Sequence, residues 1–207
     1  MTYADREEAG RRLAAALEDY RGAADTIVVA LPRGGVVLGR VIADELGLPL
    51  DIVVPRKVGA PDNEEFAVGA LAESGEVVWS EGDVARFDRD ELERTVERER
   101  VEAQRRLETY RVGLPERVLR GKTVLLVDDG IATGLTMSAA VRTVRQEKAA
   151  RIVMAVPVAA PDSARRIARE VDRSVILETP RFFAAVGQFY ERFDQVTDEE
   201  VITLLKR

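Results

Sequence analysis

The chain has 207 residues, 46% of them apolar, enough for one substantial core or a core with an appendage. A net charge of −6 gives bulk electrostatics no grip on nucleic acid or an anionic membrane, and no apolar run approaches the ~20 residues of a spanning helix. Cys and His are both absent, which excludes disulfides, thiolate nucleophiles, imidazole bases and nitrogen- or sulfur-held metals; a proton must move on Asp, Glu, Lys, Tyr or water, and a metal must take oxygen, which points to magnesium.

In chain order, the first eight residues lack a secretory signal, so a cytoplasmic protein is the simplest expectation. Residues 5–19 read as an amphipathic helix with Leu13 and Leu17 on one face. Residues 27–31 suit a buried strand, Pro32-Arg33-Gly34-Gly35 a tight loop, and a helix follows to about Leu46 and stops at Gly47. Residues 52–54 form the next strand, and a strand–helix–strand unit implies a right-handed parallel crossover. Residues 58–112 break that rhythm: 66–71 and 76–79 suit a hairpin around Ser74-Gly75, and 88–111 one long, highly charged helix. Acidic and basic residues alternate along that helix, so it is a partly solvated brace that could support a homodimer rather than a nucleic-acid patch. A strand at 123–127, a helix at 135–147, a strand at 152–156, a helix at 162–171 and a strand at 175–177 restore the alternation. A capping box, Thr197-Asp198-Glu199-Glu200, opens the last helix. The expected architecture is one α/β domain: a doubly wound, mainly parallel five-stranded sheet with flanking helices. The core takes residues 1–57 and 113–178, an inserted flexible or helical cover 58–112, and a small C-terminal hood 179–207.

The chemistry concentrates in Val127-Asp128-Asp129-Gly130-Ile131-Ala132-Thr133-Gly134-Leu135-Thr136. An apolar strand runs into two carboxylates, then a Gly/Thr loop, then a helix. Ligands of open α/β sheets bind at such carboxyl ends. Ionised carboxylates accept hydrogen bonds from vicinal hydroxyls, while the free N–H groups and positive dipole end of the helix attract a phosphate. An acid pair alone serves equally as a generic magnesium site or a loop cap; the following Ala-Thr-Gly-x-Thr favours phosphate. Neither the Walker pattern nor G-x-G-x-x-G occurs.

This segment resembles the phosphoribosyl-pyrophosphate (PRPP) motif of the type I phosphoribosyltransferases, and the order of the remaining elements agrees over most of the chain. Residues 55–61 and the tail at 179–193 look like a bacterial, phosphoribosyltransferase-like branch of that family. The resemblance implies a magnesium-dependent transferase of nucleotide metabolism. It would move the 5-phosphoribosyl group from PRPP to a nitrogenous base, with a nucleobase as the expected class, and release pyrophosphate. Asp128 and Asp129 would face the ribose and hold magnesium directly or through water. Gly130, Ala132, Thr133, Gly134, Leu135 and Thr136 would cradle the 5-phosphate.

Arg33, Gly34 and Gly35 sit at the same sheet edge, where the family's matching loop holds pyrophosphate, often through a strained peptide; an ordinary glycine-capped turn is the plain alternative. Arg56 and Lys57 end the second strand, and by resemblance Lys57 is the direct contact to the leaving group. Where some members carry an Asp that handles a purine proton, this chain has Ala132, as in adenine-type members. A general base must then come from elsewhere, and Glu65 in the cover is the choice. Phe182 and Phe183 follow Pro180 in an expected loop and suit stacking on a planar base, whereas Phe189, Tyr190 and Phe193 suit pinning the tail to the core. A non-catalytic PRPP-binding regulator is the alternative function. A phosphoacceptor receiver would leave the Gly/Thr loop and Arg33-Gly34-Gly35 unexplained.

Overall fold

The computed structural model describes residues 2–207, except the side chain of Glu65. Five strands form the central sheet: β1 (Thr26–Ala30), β2 (Leu50–Ile52), β6 (Thr123–Val127), β7 (Arg151–Val158) and β8 (Arg173–Glu178). Their order is β2-β1-β6-β7-β8 and every pairing is parallel, in keeping with the apolar runs of β1, β6 and β7. β6 is the middle strand, buried from Val124 to Val127, so whatever follows Val127 emerges at the centre of the carboxyl edge.

Helices cover both faces. α1 (Arg6–Ala16), with its C-cap Leu17, and α2 (Gly34–Leu46) bury Leu13, Leu17, Leu38, Ile42 and Leu46 on one side. α5 (Leu135–Gln146) and α6 (Pro161–Ile167) bury Met137, Val141, Val144 and Ile167 on the other. α6 stops four residues before the expected 171. β2 lies two residues earlier than expected because Leu50–Ile52 take up the partners on β1, while the Val54 N–H is satisfied by the Glu73 carboxylate instead of a strand.

The insertion is more ordered than its composition suggests. Three antiparallel strands, β3 (Arg56–Ala60), β4 (Asn63–Leu71) and β5 (Val77–Trp79), form a second sheet. The sequence marks no strand at 56–60; Gly59 and Ala60 interrupt its alternation, and pairing with β4 through a bulged register makes it a strand. A short helix, α3 (Glu81–Val84), precedes the long α4 (Arg89–Tyr110), whose N-cap Asp88 accepts from the Asp90 and Glu91 N–H groups. The small sheet packs Val58, Val68 and Leu71 on Leu92 and Val96 of α4, and Ala70 and Ala72 on Leu135 and Ala139 of α5. Arg117, with 10% of its side chain exposed, ties this unit to the core by pairing with Glu73 and Glu147 and donating to the Ile52 carbonyl. That many partners is what a guanidinium needs to stay charged out of water. The last helix, α7 (Asp198–Leu205), begins with the expected capping box and packs Val201 and Leu205 near Tyr110. Among the described residues, no helix is long and apolar enough to cross a membrane.

Candidate functional site

Asp128 and Asp129 leave the end of β6 directly above the start of α2. The contact is tight because α2 opens with two glycines. A Cβ on Gly34 would fall 1.9 Å from Asp129 Oδ2, and one on Gly35 would fall 2.9 Å from the Val127 carbonyl and 3.0 Å from Asp128 Cα. The Leu31 N–H donates to the Val127 carbonyl at 2.9 Å, which sews the two loops together. The Pro32–Arg33 peptide is cis.

The two acids differ in surroundings. Asp128 Oδ1 accepts from the Asp129 N–H at 2.8 Å. Asp129 Oδ2 accepts from Arg6 Nε at 2.9 Å, and the Asp129 carbonyl accepts from the Tyr190 hydroxyl at 2.7 Å. Burial, then the neighbouring Asp129 charge, pushes the Asp128 carboxyl well above the usual carboxylate range. Burial also raises Asp129, and the Arg6 guanidinium opposes that rise. The folded chain therefore binds a proton at Asp128 more readily than the unfolded chain does. Its ionisation costs stability as pH rises from near the ordinary value of 3.8 through the raised one. In metal-free buffer at neutral pH, Asp128→Asn will raise the melting temperature, by about 2–4 °C per kcal/mol recovered. The gain over wild type will shrink as the pH is lowered through that window. Thermal scans across pH check this, and a destabilised variant at neutral pH would contradict it.

The Gly/Thr loop is braced from α6 and β7. The Ile131 N–H donates to the Val158 carbonyl, Ser163 Oγ donates to the Ala132 carbonyl at 2.5 Å, and Arg166 donates to the Thr133 carbonyl. With its carbonyls so occupied, the loop can turn N–H groups toward a ligand. Gly134 caps α5 at φ 76°, a left-handed conformation that favours glycine, and no side chain caps the helix. The first-turn N–H groups of Leu135, Thr136 and Met137 have no acceptor within the helix. Ala132 and Thr133 are exposed and Thr136 is half-buried; the Leu135 side chain is buried against Ala70, Ala72 and Ala139, so Leu135 can offer a ligand only its backbone. Thr136→Val will weaken ribose 5-phosphate binding about tenfold, the loss of one hydroxyl bond to a charged oxygen. An unchanged dissociation constant would place that hydroxyl away from the phosphate.

The remaining expected site residues divide. Arg33 lies 3.5 Å from Asp198 Oδ1, a carboxylate that also accepts from the Tyr110 hydroxyl at 2.6 Å. Arg56 donates through Nε and Nη2 to Glu99 Oε2, at 2.9 and 2.7 Å, and so braces β3 against α4. Lys57 is half-buried on β3, in register with Ala70. Glu65 lies on β4, and its side chain is outside the described residues. Phe183 packs on Phe189 with ring centres 5.2 Å apart, whereas Phe182 is 88% exposed. Phe189 and Tyr190 are buried, in keeping with a pinning role.

Arg6, Ser163 and Arg166 were not legible as site residues. Arg6 sits in an Asp-Arg-Glu-Glu start that matches no motif, 123 residues from its carboxylate. Among the described residues, no cluster of three or more metal-binding side chains occurs. Two carboxylates with substrate oxygens and water completing the shell is a normal way to hold magnesium, so the donor set fits that ion together with a phosphorylated ligand.

The fold and this edge define a parallel α/β domain that brings an acid pair, a double glycine and an uncapped helix start together at one sheet edge. A family model, the phosphoribosyl transferase domain, matches residues 2–192. Two proteins of Mycobacterium tuberculosis, one each from strains CDC 1551 / Oshkosh and H37Rv, carry provisional phosphoribosyl transferase names and are 41% identical over 206 residues. The match takes 98% of this chain and 46% of theirs, so the chain spans about half the length of the curated relatives it matches. The crystal structure of TT1426 from Thermus thermophilus superposes with a TM-score of 0.81 at 45% identity, over 99% of this chain and 98% of that one. The purine phosphoribosyltransferase from Pyrococcus horikoshii Ot3 shares the fold at a TM-score of 0.50 and 17% identity, over 95% of each chain. The chain belongs to the phosphoribosyl transferase domain family.

Proposed function

We propose that the chain transfers the 5-phosphoribosyl group of PRPP to a ring nitrogen of a nitrogenous base, most simply a nucleobase, and releases pyrophosphate. The observation that carries this reading is the apposition of Asp128-Asp129, the Gly34-Gly35 loop and the uncapped start of α5 at one sheet edge. Asp128 and Asp129 accept the ribose hydroxyls; the N–H groups from Thr133 to Met137 and the Thr136 hydroxyl hold the 5-phosphate; the backbone at Arg33–Gly35, with Lys57, receives pyrophosphate. The bond from the anomeric carbon to pyrophosphate breaks, the leaving group keeps the electron pair, and the base nitrogen bonds to that carbon from the other face. Side chains do little proton chemistry here. Their work is to position the sugar and to stabilise charge on the leaving group. Magnesium held with Asp128 and Asp129 would supply electrostatic stabilisation of that charge. Phe182 offers the acceptor a flat, exposed face.

One observation favours the non-catalytic alternative. Arg33 and Arg56, both expected at pyrophosphate, have carboxylate neighbours, Asp198 and Glu99. Incubation with PRPP, magnesium and a panel of purines, pyrimidines and other nitrogenous bases, with release of pyrophosphate as the readout, separates the readings. Transfer to one base supports the enzyme. Tight PRPP binding without transfer to any base supports the regulator, and absence of PRPP binding refutes both.

A further inference from the structure

The Arg6 side chain, 12% exposed, meets three groups at once. Its Nε donates to Asp129 Oδ2 at 2.9 Å, its Nη1 donates to the Asp194 carbonyl at 2.8 Å, and its guanidinium carbon lies 3.9 Å from the centre of the Phe193 ring. On its other side Asp129 Oδ2 is boxed in by Gly34, where even a Cβ would come within 1.9 Å. The Tyr190 hydroxyl pins the Asp129 carbonyl from the hood side. A carboxylate has two oxygens, and this arrangement commits Oδ2 to the protein. The direction of Oδ1 is then set by the position of Arg6, and the position of Arg6 by Phe193 and Asp194.

Resting on the phosphoribosyl reading of the site, we infer that Arg6 is a positioning residue for the substrate diol: it turns Asp129 so that Oδ1 meets a ribose hydroxyl, and it links that orientation to the C-terminal hood through Phe193 and Asp194. The role calls for arginine. A planar guanidinium can donate from Nε in one direction and from Nη1 in another while its face lies on an aromatic ring; an ammonium keeps the charge and loses the fork. The arrangement also gives the N-terminal helix a task at the site. α1 otherwise serves the core through Leu13 and Ala14, and Arg6 is its first residue, at the end nearest the sheet's carboxyl edge. Phe193 and Asp194 lie just past the last residue matched by the family model.

The test is calorimetric, with two probes that touch different parts of the site: ribose 5-phosphate, which carries the diol, and inorganic pyrophosphate, which does not. Arg6→Gln will weaken ribose 5-phosphate binding about tenfold, a usual cost of losing a group that orients a binding carboxylate. Pyrophosphate affinity will not change. Arg6→Lys will recover part of the loss, and Phe193→Ala, which leaves the ion pair in place, will show a smaller loss of the same selectivity. On an Asp129→Asn background, Arg6→Gln will add nothing further. Equal losses for both probes, wild-type affinity in Arg6→Gln, or a full additional loss on the Asp129→Asn background would each overturn the inference. If Arg6→Gln does not fold, Arg6→Lys and Phe193→Ala decide it by the same selectivity. A wild-type protein that binds ribose 5-phosphate while Arg6→Gln is unaffected sinks this inference alone; a wild-type protein that binds neither probe sinks the phosphoribosyl reading and this inference with it.

Discussion

Replacing Asp128 and Asp129 together by Asn will reduce PRPP affinity at least about a hundredfold, to the edge of detection in calorimetry. Each hydrogen bond from a hydroxyl to a charged acceptor contributes about 1.5–3 kcal/mol, and two such losses exceed two decades in Kd. Asn keeps the shape and one carbonyl oxygen, so the Asp129 N–H still finds its acceptor on residue 128. The Asp129 exchange leaves the buried Arg6 facing a neutral amide, a local cost, while removing a charge that burial disfavours on both residues. The folded state therefore survives the double change, and a melting curve near that of the wild type will separate lost recognition from lost structure. Near-wild-type affinity in a folded double variant would mean that neither carboxylate meets the ligand.

The second large effect is expected at the two glycines beneath the acid pair, and they should fail differently. At Gly34 the obstacle to a Cβ is the end of the Asp129 side chain, with the Arg6 Nε behind it at 2.9 Å. A carboxylate can swing away, so Gly34→Ala will cost little stability and will displace Asp129 from Arg6. PRPP and ribose 5-phosphate binding will fall about tenfold or more, the loss of one charged contact. At Gly35 the obstacles are backbone: the Val127 carbonyl at 2.9 Å and Asp128 Cα at 3.0 Å. Neither can move without parting β6 from α2, so Gly35→Ala will destabilise the fold by about 1–3 kcal/mol, the range for overpacking a tight contact. Chemical denaturation and PRPP titration on both variants check the contrast. A destabilised Gly34→Ala with normal binding, or a fully stable Gly35→Ala, would contradict the described apposition of the two loops.

Much of the central sheet was legible because each of its strands is a short apolar run and each crossover carries a helix-length amphipathic segment. Residues 123–127 and 27–31 could hardly be anything but buried strands, and Gly47 is the helix stop it reads as. The insertion was less legible for a physical reason. β3 contains Arg56, Lys57 and Gly59, weak strand formers, and becomes a strand only because β4 lies beside it. The end of β2 is hard to place from sequence because Val53 and Val54 are as apolar and as buried as Ile52, while beyond Ile52 only the Val53 N–H still reaches β1, at the Ala30 carbonyl.

The acid pair, the Gly/Thr loop and the double glycine could be read as a group because they are contiguous motifs whose chemistry depends on local order. Their partners could not. Arg6 reaches Asp129 across 123 residues, Ser163 reaches Ala132 across 31, and Tyr190 reaches the Asp129 carbonyl across 61. Arg56 shows the same limit. Its charge and place at the sheet edge suit a pyrophosphate grip, while its Glu99 partner comes from a helix more than forty residues later. A long charged helix folded back on the sheet offers many such carboxylates, and only the three-dimensional packing decides which cations it takes. Phe182 and Phe183 were equal in the sequence and part company in the fold, one on Phe189 and the other facing outward.

The most direct test is a crystal structure of the chain with PRPP and magnesium. The ribose hydroxyls should lie about 2.6–3.2 Å from carboxylate oxygens of Asp128 and Asp129, with the 5-phosphate against the N–H groups that open α5. PRPP bound elsewhere, with the two aspartates engaged only by Arg6 and the backbone around Gly34 and Gly35, would contradict the account.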